Sequence, residues 1–296
     1  MRIVPRPFGQ VLNDALASLV RTWRPLLSTA LMVFVPAGLL TILIFQSTGA
    51  IDFLQAVFTD PGYLQTLPPE VFLELARPFV IACLLTLVVQ GLGTIYLYMV
   101  CHRVMVRSLR GQTTTGKEAR RPGLRSVVVA VVAGMVAVIL ALGTITLGVM
   151  LWTVPAGQVG TPNPTSSLIA VILFFGMIGP GVWLAISLSM VTVVVAVEAR
   201  GVVGSLYRSR QLVKGRWWPT FGFLLLVGLM GSVAIQLIQL VAIPLSVVGE
   251  LGAGVSVVSL IGLAAQGPIV AAMGGTFTHW YIDLRSRREV LLADQL

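Results

Sequence analysis

The stretch Arg200–Met230, RGVVGSLYRSRQLVKGRWWPTFGFLLLVGLM, joins a basic segment to a long apolar run. Tryptophan is enriched where membrane helices meet water, and Lys and Arg collect on the cytoplasmic side. The pair Trp217 and Trp218 therefore predicts the position of the interface, and the run after Pro219 predicts a helix that enters hydrocarbon. This stretch indicates a membrane protein and the direction in which one of its spans leaves the cytoplasm.

The composition of the whole chain agrees with this interpretation. Of its 296 residues, 56% are hydrophobic and only 10% are charged, whereas soluble domains carry about 25% charged residues. Too few polar side chains are present to cover a water-facing surface, so we expect lipid to face much of the protein. The net charge of +9 would otherwise suggest a nucleic-acid partner. Because the charges are confined to short loops between apolar runs, we expect no nucleic-acid binding.

Six apolar runs are long enough to cross a hydrocarbon core, which needs about 20 helical residues. Backbone groups in lipid must pair within their own segment, so the runs are expected to be helices. The predicted fold class is an all-α membrane protein that forms one domain over residues 1–296, with six transmembrane helices plus amphipathic interfacial helices on the cytoplasmic side. The spans are predicted at about 25–46, 78–100, 126–152, 168–197, 218–243 and 255–279.

An amphipathic segment at residues 8–23 precedes the first span. Its apolar side chains fill one half of a helical wheel and its polar side chains fill the other, which is typical of a helix that lies on a membrane surface. The alternative is an ordinary amphipathic helix packed on a soluble domain. The apolar run that follows begins too late and is too long for a signal peptide, so we expect it to be retained as a span.

The basic residues predict the orientation. All but one of the 20 lysines and arginines lie before the first span, after the last, or in the loops that follow spans two and four; only Arg77 lies on the opposite side. The positive-inside rule makes the basic side cytoplasmic. We therefore expect a multi-pass protein of the bacterial inner (cytoplasmic) membrane with both termini in the cytoplasm. Anionic lipid headgroups at the cytoplasmic face are its expected partners.

Residues suited to catalysis or metal binding are scarce. Both histidines, His102 and His279, fall at predicted cytoplasmic helix ends, and Asp283 lies one turn after His279. Two ligands without a third make a poor metal site, and the common catalytic motifs are absent from the sequence. Cys83 and Cys101 share one predicted helix about 27 Å apart at 1.5 Å per residue, which excludes a disulfide between them. We expect no catalytic residue, no metal and no cofactor.

Prolines and glutamines within the spans keep a transporter open as an alternative. Pro180 and Pro268 fall in the middle of predicted spans, where proline bends a helix, and broken helices form substrate sites in some transporters. Interhelical hydrogen bonds or a polar pathway would each account for the polar residues of the spans. These residues are Gln90, Gln236, Gln239 and Gln266.

A weak internal repeat links two basic elbows. The stretch SLVRTWRP at Ser18–Pro25 is similar to QLVKGRWWP at Gln211–Pro219, which is one residue longer. Both run from an amphipathic segment through a Trp and Pro elbow into a span that leaves the cytoplasm. The alternative is that any interfacial helix that feeds a span has this appearance.

Two stretches resemble a known family. The elbow RSRQLVKGRWW within residues 197–222 and the closing HWYIDLRSRRE at His279–Glu289 resemble a bacterial, largely actinobacterial, family of uncharacterised six-span proteins. That family is similar to the membrane domain attached to glycerophosphodiester phosphodiesterases. The resemblance covers the whole chain in layout but only these stretches in residues. It implies no assigned substrate, and no region of this sequence could fold as the soluble catalytic barrel of those enzymes.

The sequence thus predicts a non-enzymatic integral membrane module that organises lipids or binds a membrane protein partner. One alternative is a transporter, or transporter subunit, for a small or lipidic substrate. Another is a membrane enzyme that acts on phospholipid through His279 and Asp283.

Overall fold

A computed structural model of the chain describes most of its backbone, and the described part is almost entirely helical. The described residues are 2–3, 5–51, 53, 68–112, 124–157, 164–248, 253–289 and 291–292. Side chains are described for most of these residues, with the main exceptions at 2–3, 145–171, 241–261 and 291–292. Gln239 is a further exception, so the prediction made for it falls outside the described side chains.

Eight helices and one short strand pair make up the described chain. The helices are α1 (Phe8–Thr48), α2 (Pro69–Leu109), α3 (Leu124–Gly157), α4 (Pro164–Ser187), α5 (Val191–Glu198), α6 (Val202–Val213), α7 (Trp217–Val248) and α8 (Ala253–Ser286). The strands β1 (Arg2–Ile3) and β2 (Leu291–Leu292) pair antiparallel. The segments that precede α1 and follow α8 therefore lie side by side. Apart from this strand pair, the described secondary structure is helical, which confirms the predicted all-helical class.

Four helices are long and apolar enough to cross a membrane, rather than the six that the sequence predicts. Judged by the length and composition of the described residues, they are Phe8–Thr48, Glu70–Leu109, Ile178–Glu198 and Trp217–Ile238. The predicted spans at 126–152 and 255–279 lie partly outside the described side chains. In the first of these, the described side chains form the shorter apolar helix Arg125–Leu140.

The predicted boundary between an interfacial helix at 8–23 and a first span at 25–46 is absent from the structure. α1 continues from Phe8 to Thr48 with Pro25 inside it. One edge of the predicted apolar face packs on protein, since Val11 and Ala15 are buried, while Val20 and Trp23 on the other edge are exposed. Residues 8–23 are thus the first turns of a long helix, and the bundle covers only part of their apolar face.

The second elbow breaks its helix where the first does not. α6 ends at Val213 and α7 begins at Trp217. Between them Gly215 has a φ of 80°, a left-handed conformation that glycine adopts without steric cost. The amide of Arg216 then donates to the carbonyl of Val213 at 2.9 Å. The first copy of the repeat has Thr22 in place of this glycine and is one residue shorter, so α1 runs through it.

α8 is the helix on which α1, α2 and α7 pack, and its glycines permit close approach. A Cβ on Gly267 would lie 3.1 Å from the Cβ of Ala30 in α1, and one on Gly275 would lie 2.8 Å from side chains of Leu19 and Met105. Small residues let membrane helices bring their backbones together in this way. Gly267, the residue before Pro268, therefore lies in a close contact with α1.

The interruption of the predicted fourth span lies at residues 188–190, between α4 and α5, while Pro180 remains inside α4. The buried hydroxyl of Ser209, on α6, donates to the carbonyl of Ser187 at 2.9 Å. The hydroxyl oxygen of Ser209 also accepts a hydrogen bond from the backbone amide of Met190 at 3.2 Å. Because a helix break frees backbone groups that must be paired when buried, Ser209 stabilises the break.

Most fully buried side chains gather toward one end of the bundle. There α1 begins, α2 and α8 end, and α6 packs against α5 and α8. We call this end, formed by residues 5–24, 102–112, 198–217 and 279–289, the basic end. Large side chains buried at or next to it are Met105, Met190, Leu212, Phe223, Tyr281 and Leu284. Side chains farther along the helices, such as those of Leu43, Leu84 and Leu237, are exposed, as expected where lipid replaces water.

Candidate functional site

A cavity of about 500 Å³, which we call the groove, lies between α2, α3 and the α4–α5 break. Its walls are formed by residues 87–98 of α2, residues 134–139 of α3 and residues 185–192. The lining is apolar except for four side chains, those of Thr94, Tyr98, Ser189 and Thr192. Cavities of this size with a mainly apolar lining and a few polar groups are typical ligand sites.

The groove has one glycine in open space and one where its walls meet. A Cβ built on Gly91 meets nothing within 4 Å, whereas one on Gly134 would lie 3.3 Å from the Cδ1 atom of Ile95, so α2 and α3 are in contact at Gly134. Leu92 and Met135, which also line the groove, are exposed on the outside of the bundle. The groove therefore opens sideways between the helices rather than toward the centre of the bundle.

His102 lies behind the polar part of the groove and is fully buried. Its Nδ1 atom is 2.8 Å from the hydroxyl of Thr278, and its Nε2 atom is 3.5 Å from the hydroxyl of Thr192. The hydroxyl of Thr278 donates its proton to the carbonyl of Gly274 at 2.9 Å, so the Nδ1 atom of His102 must be the donor to Thr278. The Nε2 atom is then an acceptor directed at Thr192, and the ring braces α2 against α8.

His279 and Asp283, the predicted pair, use different partners. Asp283 is buried and accepts from the backbone amide of Arg6 at 2.8 Å and from the Nε atom of Arg287 at 2.7 Å. Arg287 also donates to the carbonyl of Arg6 at 2.7 Å, and the Arg6 side chain pairs with Asp14. Asp283 therefore holds the segment before α1 against the end of α8.

His279 borders a small cavity of about 30 Å³ with Arg6, Asp283 and Ser286. Its Nε2 atom is buried and has no hydrogen-bond partner among the described residues. The cavity has room for a water molecule, which would pair with this atom. No group of three or more potential metal-binding side chains occurs among the residues that the structure describes.

A second polar cluster, centred on Glu198 at the end of α5, was not predicted. The carboxylate of Glu198 accepts from Arg200 at 2.6 Å, from the Nε atom of Arg208 at 3.0 Å and from the hydroxyl of Tyr281 at 2.7 Å. The side chains of Glu198 and Arg208 are only 8% and 12% exposed. This arrangement joins α5, α6 and α8 through one carboxylate.

The cluster extends to Glu289 beyond the end of α8. Glu289 pairs with Arg208 and accepts from Arg285 at 3.0 Å. Burial alone would lower the pKa of Arg208, but its hydrogen bonds with Glu289 and Glu198 outweigh this effect and raise the pKa. Burial alone would raise the pKa of Glu289, but hydrogen bonds from Arg208 and Arg285 lower it. Burial and the nearby carboxylate of Glu198 raise the pKa of Tyr281, so its hydroxyl remains a neutral donor.

The glutamines within the spans have different environments. Gln90 donates to the hydroxyl of Thr41 on α1 at 3.4 Å, which confirms an interhelical hydrogen bond for this residue. Gln236 on α7 is exposed. Gln266 on α8 is partly buried. None of Gln90, Gln236 and Gln266 lines the groove, so these described glutamines do not form a polar pathway there.

Replacing Asp283 with alanine should release the segment before α1. We expect the unfolding free energy to fall by about 2 kcal/mol, since a buried carboxylate that accepts charge-assisted hydrogen bonds is lost. Hydrogen–deuterium exchange should accelerate at the Arg6 amide, whose described acceptor is Asp283. Asp283→Asn is the matched control because it retains an acceptor for that amide. Equal protection of Arg6 in the alanine and asparagine variants would contradict the expectation.

The sequence did not predict the Glu198 cluster, although both parts of the chain that form it have recognisable sequence features. Glu198 is the carboxylate that directly follows the fourth apolar run, and Tyr281 and Arg285 belong to the closing motif that carried the family resemblance. A lone acid at the end of a span, facing a loop rich in arginine, was the available signal. What was lacking was any indication that α5 and the end of α8 meet.

One of the comparisons with known proteins gives a match, and it covers most of the chain. No curated protein and no solved structure matches the chain. The resemblance to the membrane domain attached to glycerophosphodiester phosphodiesterases therefore stays a prediction. One family model, described as a domain of unknown function (DUF7847), matches residues 8–284, which run from the first residue of α1 into the closing motif on α8. The chain therefore belongs to the family that is defined by this domain of unknown function.

Proposed function

We propose that the chain is a multi-pass protein of the bacterial inner membrane, with six spans and with the basic end in the cytoplasm. In this proposal it is a non-catalytic module that organises lipids, or binds a membrane protein partner, through the basic end. The observation that carries the proposal is a rim of exposed aromatic and basic side chains at and next to that end. Aromatic residues favour the membrane interface, and basic residues attract anionic headgroups by about 1 kcal/mol each.

The rim is contributed by the start of α1, by α6 and by the start of α7. Its aromatic members Trp23, Tyr207 and Trp218 are exposed. The guanidinium of Arg24 is exposed and sits 5.5 Å from the ring centroid of Trp23. Further exposed cations of the rim are Arg21, Arg210, Lys214 and Arg216. An apolar ring next to a cation suits the boundary between acyl chains and anionic headgroups.

The strand pair supports an even number of spans. β1 and β2 are hydrogen-bonded to each other, and Arg6 contacts Asp283 at the same end of the bundle. Segments on both flanks of the bundle then share one side of the membrane. Six spans and four spans both satisfy this condition, and the distribution of arginines favours the cytoplasm for the shared side.

The transporter alternative is favoured only for a lipidic substrate. The groove that the described residues form is lined almost entirely by apolar side chains. A pathway for a polar solute needs polar groups along its length, because an unpaired polar group in an apolar environment costs free energy. The lining of the groove therefore supports a role that involves lipid.

The lipid role can be tested with purified protein in nanodiscs. We expect phosphatidylglycerol to raise the melting temperature relative to phosphatidylcholine, and salt to reduce the difference because these charges are exposed. A variant with Arg21, Arg24, Lys214 and Arg216 replaced by Gln should lose most of this stabilisation. Arg77→Gln, which removes a cation at the other end of α2, is the control. Equal melting temperatures in the two lipids would overturn the proposed interaction.

The orientation has a separate test in intact cells. A cysteine in place of Lys117, introduced in a Cys83→Ser background, should react with a membrane-impermeant maleimide only after the inner membrane is permeabilised. Cys101 is buried and should add little background. Labelling of the introduced cysteine from the periplasm would reverse the proposed threading.

A further inference from the structure

The geometry points to the groove as a binding site for one acyl chain of a membrane phospholipid, taken from the leaflet at the basic end. This inference rests on the proposed membrane location but not on the role of the basic rim. The groove and the rim are separate features, since none of the rim residues lines the groove.

The length of the groove matches one leaflet. Its wall on α2 runs from Leu87 to Tyr98, which corresponds to about 16 Å at a rise of 1.5 Å per residue. The hydrocarbon core of a bilayer is about 30 Å thick, so the groove spans about half of it. One leaflet is the depth that a single acyl chain occupies.

The two walls of the groove on α2 and α3 meet at one point. A Cβ on Gly134 would lie 3.3 Å from the Cδ1 atom of Ile95, so α2 and α3 are in contact there. A helix with its side chains is about 10 Å across and does not pass between them at this point, whereas an extended hydrocarbon chain lies along the surface that they form.

The polar side chains of the groove lie where an ester group would be. Ser189 and Thr192 flank the start of α5, and Thr192 precedes Glu198 at the basic end by about 9 Å of helix. Tyr98 lies at the end of the α2 wall nearest the basic end, while Leu87 and Val88 at the far end are apolar and exposed. This gradient from polar to apolar follows the direction of a phospholipid from its ester to the end of its chain.

The hydrogen-bond donor that the groove offers to a lipid ester is Thr192, in the first turn of α5. The backbone groups of Ser187 and Met190 at the break before it are paired with Ser209 and are not available to a ligand. The hydroxyl of Thr192 faces the Nε2 atom of His102 at 3.5 Å. A hydroxyl at this distance from an acceptor can instead donate to the carbonyl oxygen of a lipid ester.

Photocrosslinking tests the proposal directly. The protein is reconstituted in nanodiscs of phosphatidylcholine with a diazirine near the middle of one acyl chain, and the labelled residues are mapped by mass spectrometry. Phosphatidylcholine is zwitterionic, so a failure of the anionic rim would not affect this result. We expect labels to concentrate on Leu92, Met135 and Val138 and to saturate near one lipid per protein.

Gly91→Phe should reduce the groove labelling at least fivefold, because a Cβ at Gly91 points into open space and the ring would fill the groove. Gly228→Phe is the matched control, since a Cβ there also meets nothing within 4 Å but lies on α7, away from the groove. If Gly91→Phe fails to fold, Ala137→Phe fills the groove from α3. Annular lipid only would label Met135 and the exposed α7 residues Leu229 and Leu237 evenly, and the labelling would not change in the filled variants. That result would overturn the proposal.

Discussion

Replacing Glu198 with alanine is expected to lower the unfolding free energy by about 3 kcal/mol, because hydrogen bonds to a buried charged group are lost. Glu198 is 8% exposed and receives hydrogen bonds from Arg200, Arg208 and Tyr281. Without it, Arg208 would keep Glu289 as its described partner, and the buried hydroxyl of Tyr281 would lose its acceptor. Thermal or denaturant unfolding in detergent micelles would measure the change.

Two comparisons separate this effect from a general loss of charge. Glu74→Ala removes an exposed carboxylate near the start of α2 and should change stability by less than about 0.5 kcal/mol. The double variant Glu198→Ala with Arg208→Met should be less destabilised than the sum of the single variants, because the two residues interact. If Glu198→Ala unfolds under the same conditions as Glu74→Ala, the cluster does not stabilise the fold.

Replacing Gly274 with leucine is expected to have a comparable or larger effect, more than about 3 kcal/mol, through overpacking. A Cβ at this position would lie 2.8 Å from the ring of Tyr98 and 3.3 Å from the Cβ of Cys101, both on α2. A leucine side chain would push α2 away from α8 and disturb His102, which is hydrogen-bonded to Thr278 one turn further along α8. Loss of the monodisperse peak in size-exclusion chromatography would report this destabilisation.

The diagnostic comparison is a rescue by Tyr98→Ala, which removes the ring that the leucine would meet. We expect the double variant to recover part of the stability lost in Gly274→Leu. Gly228→Leu is the control, since its added side chain would enter open space. Equal stability of Gly274→Leu and Gly228→Leu would show that α2 and α8 are not packed as closely as described.

The helical class and the approximate positions of the helices follow from local sequence, because hydropathy and length are properties of one segment. Helix ends were less predictable. The sequence placed a boundary near Pro25, but α1 continues to Thr48 because a proline within a long helix need not end it when both flanking segments pack on the bundle. The fourth apolar run breaks at 188–190 and not at Pro180, since Ser209 on α6 pairs the freed backbone groups. Neither outcome depends on the segment alone.

The sequence by itself determined that this chain is helical, rich in apolar runs and asymmetric in charge, since these properties sum over neighbouring residues. Only the tertiary structure decided which polar groups meet. Asp283 pairs with Arg6 across almost the whole chain, and Glu198 pairs with Tyr281 from another helix. The groove is likewise a space between three segments that their side chains do not fill. It therefore depends on how those segments pack. Pairing and packing between distant segments are set by the fold, so no local pattern predicts them.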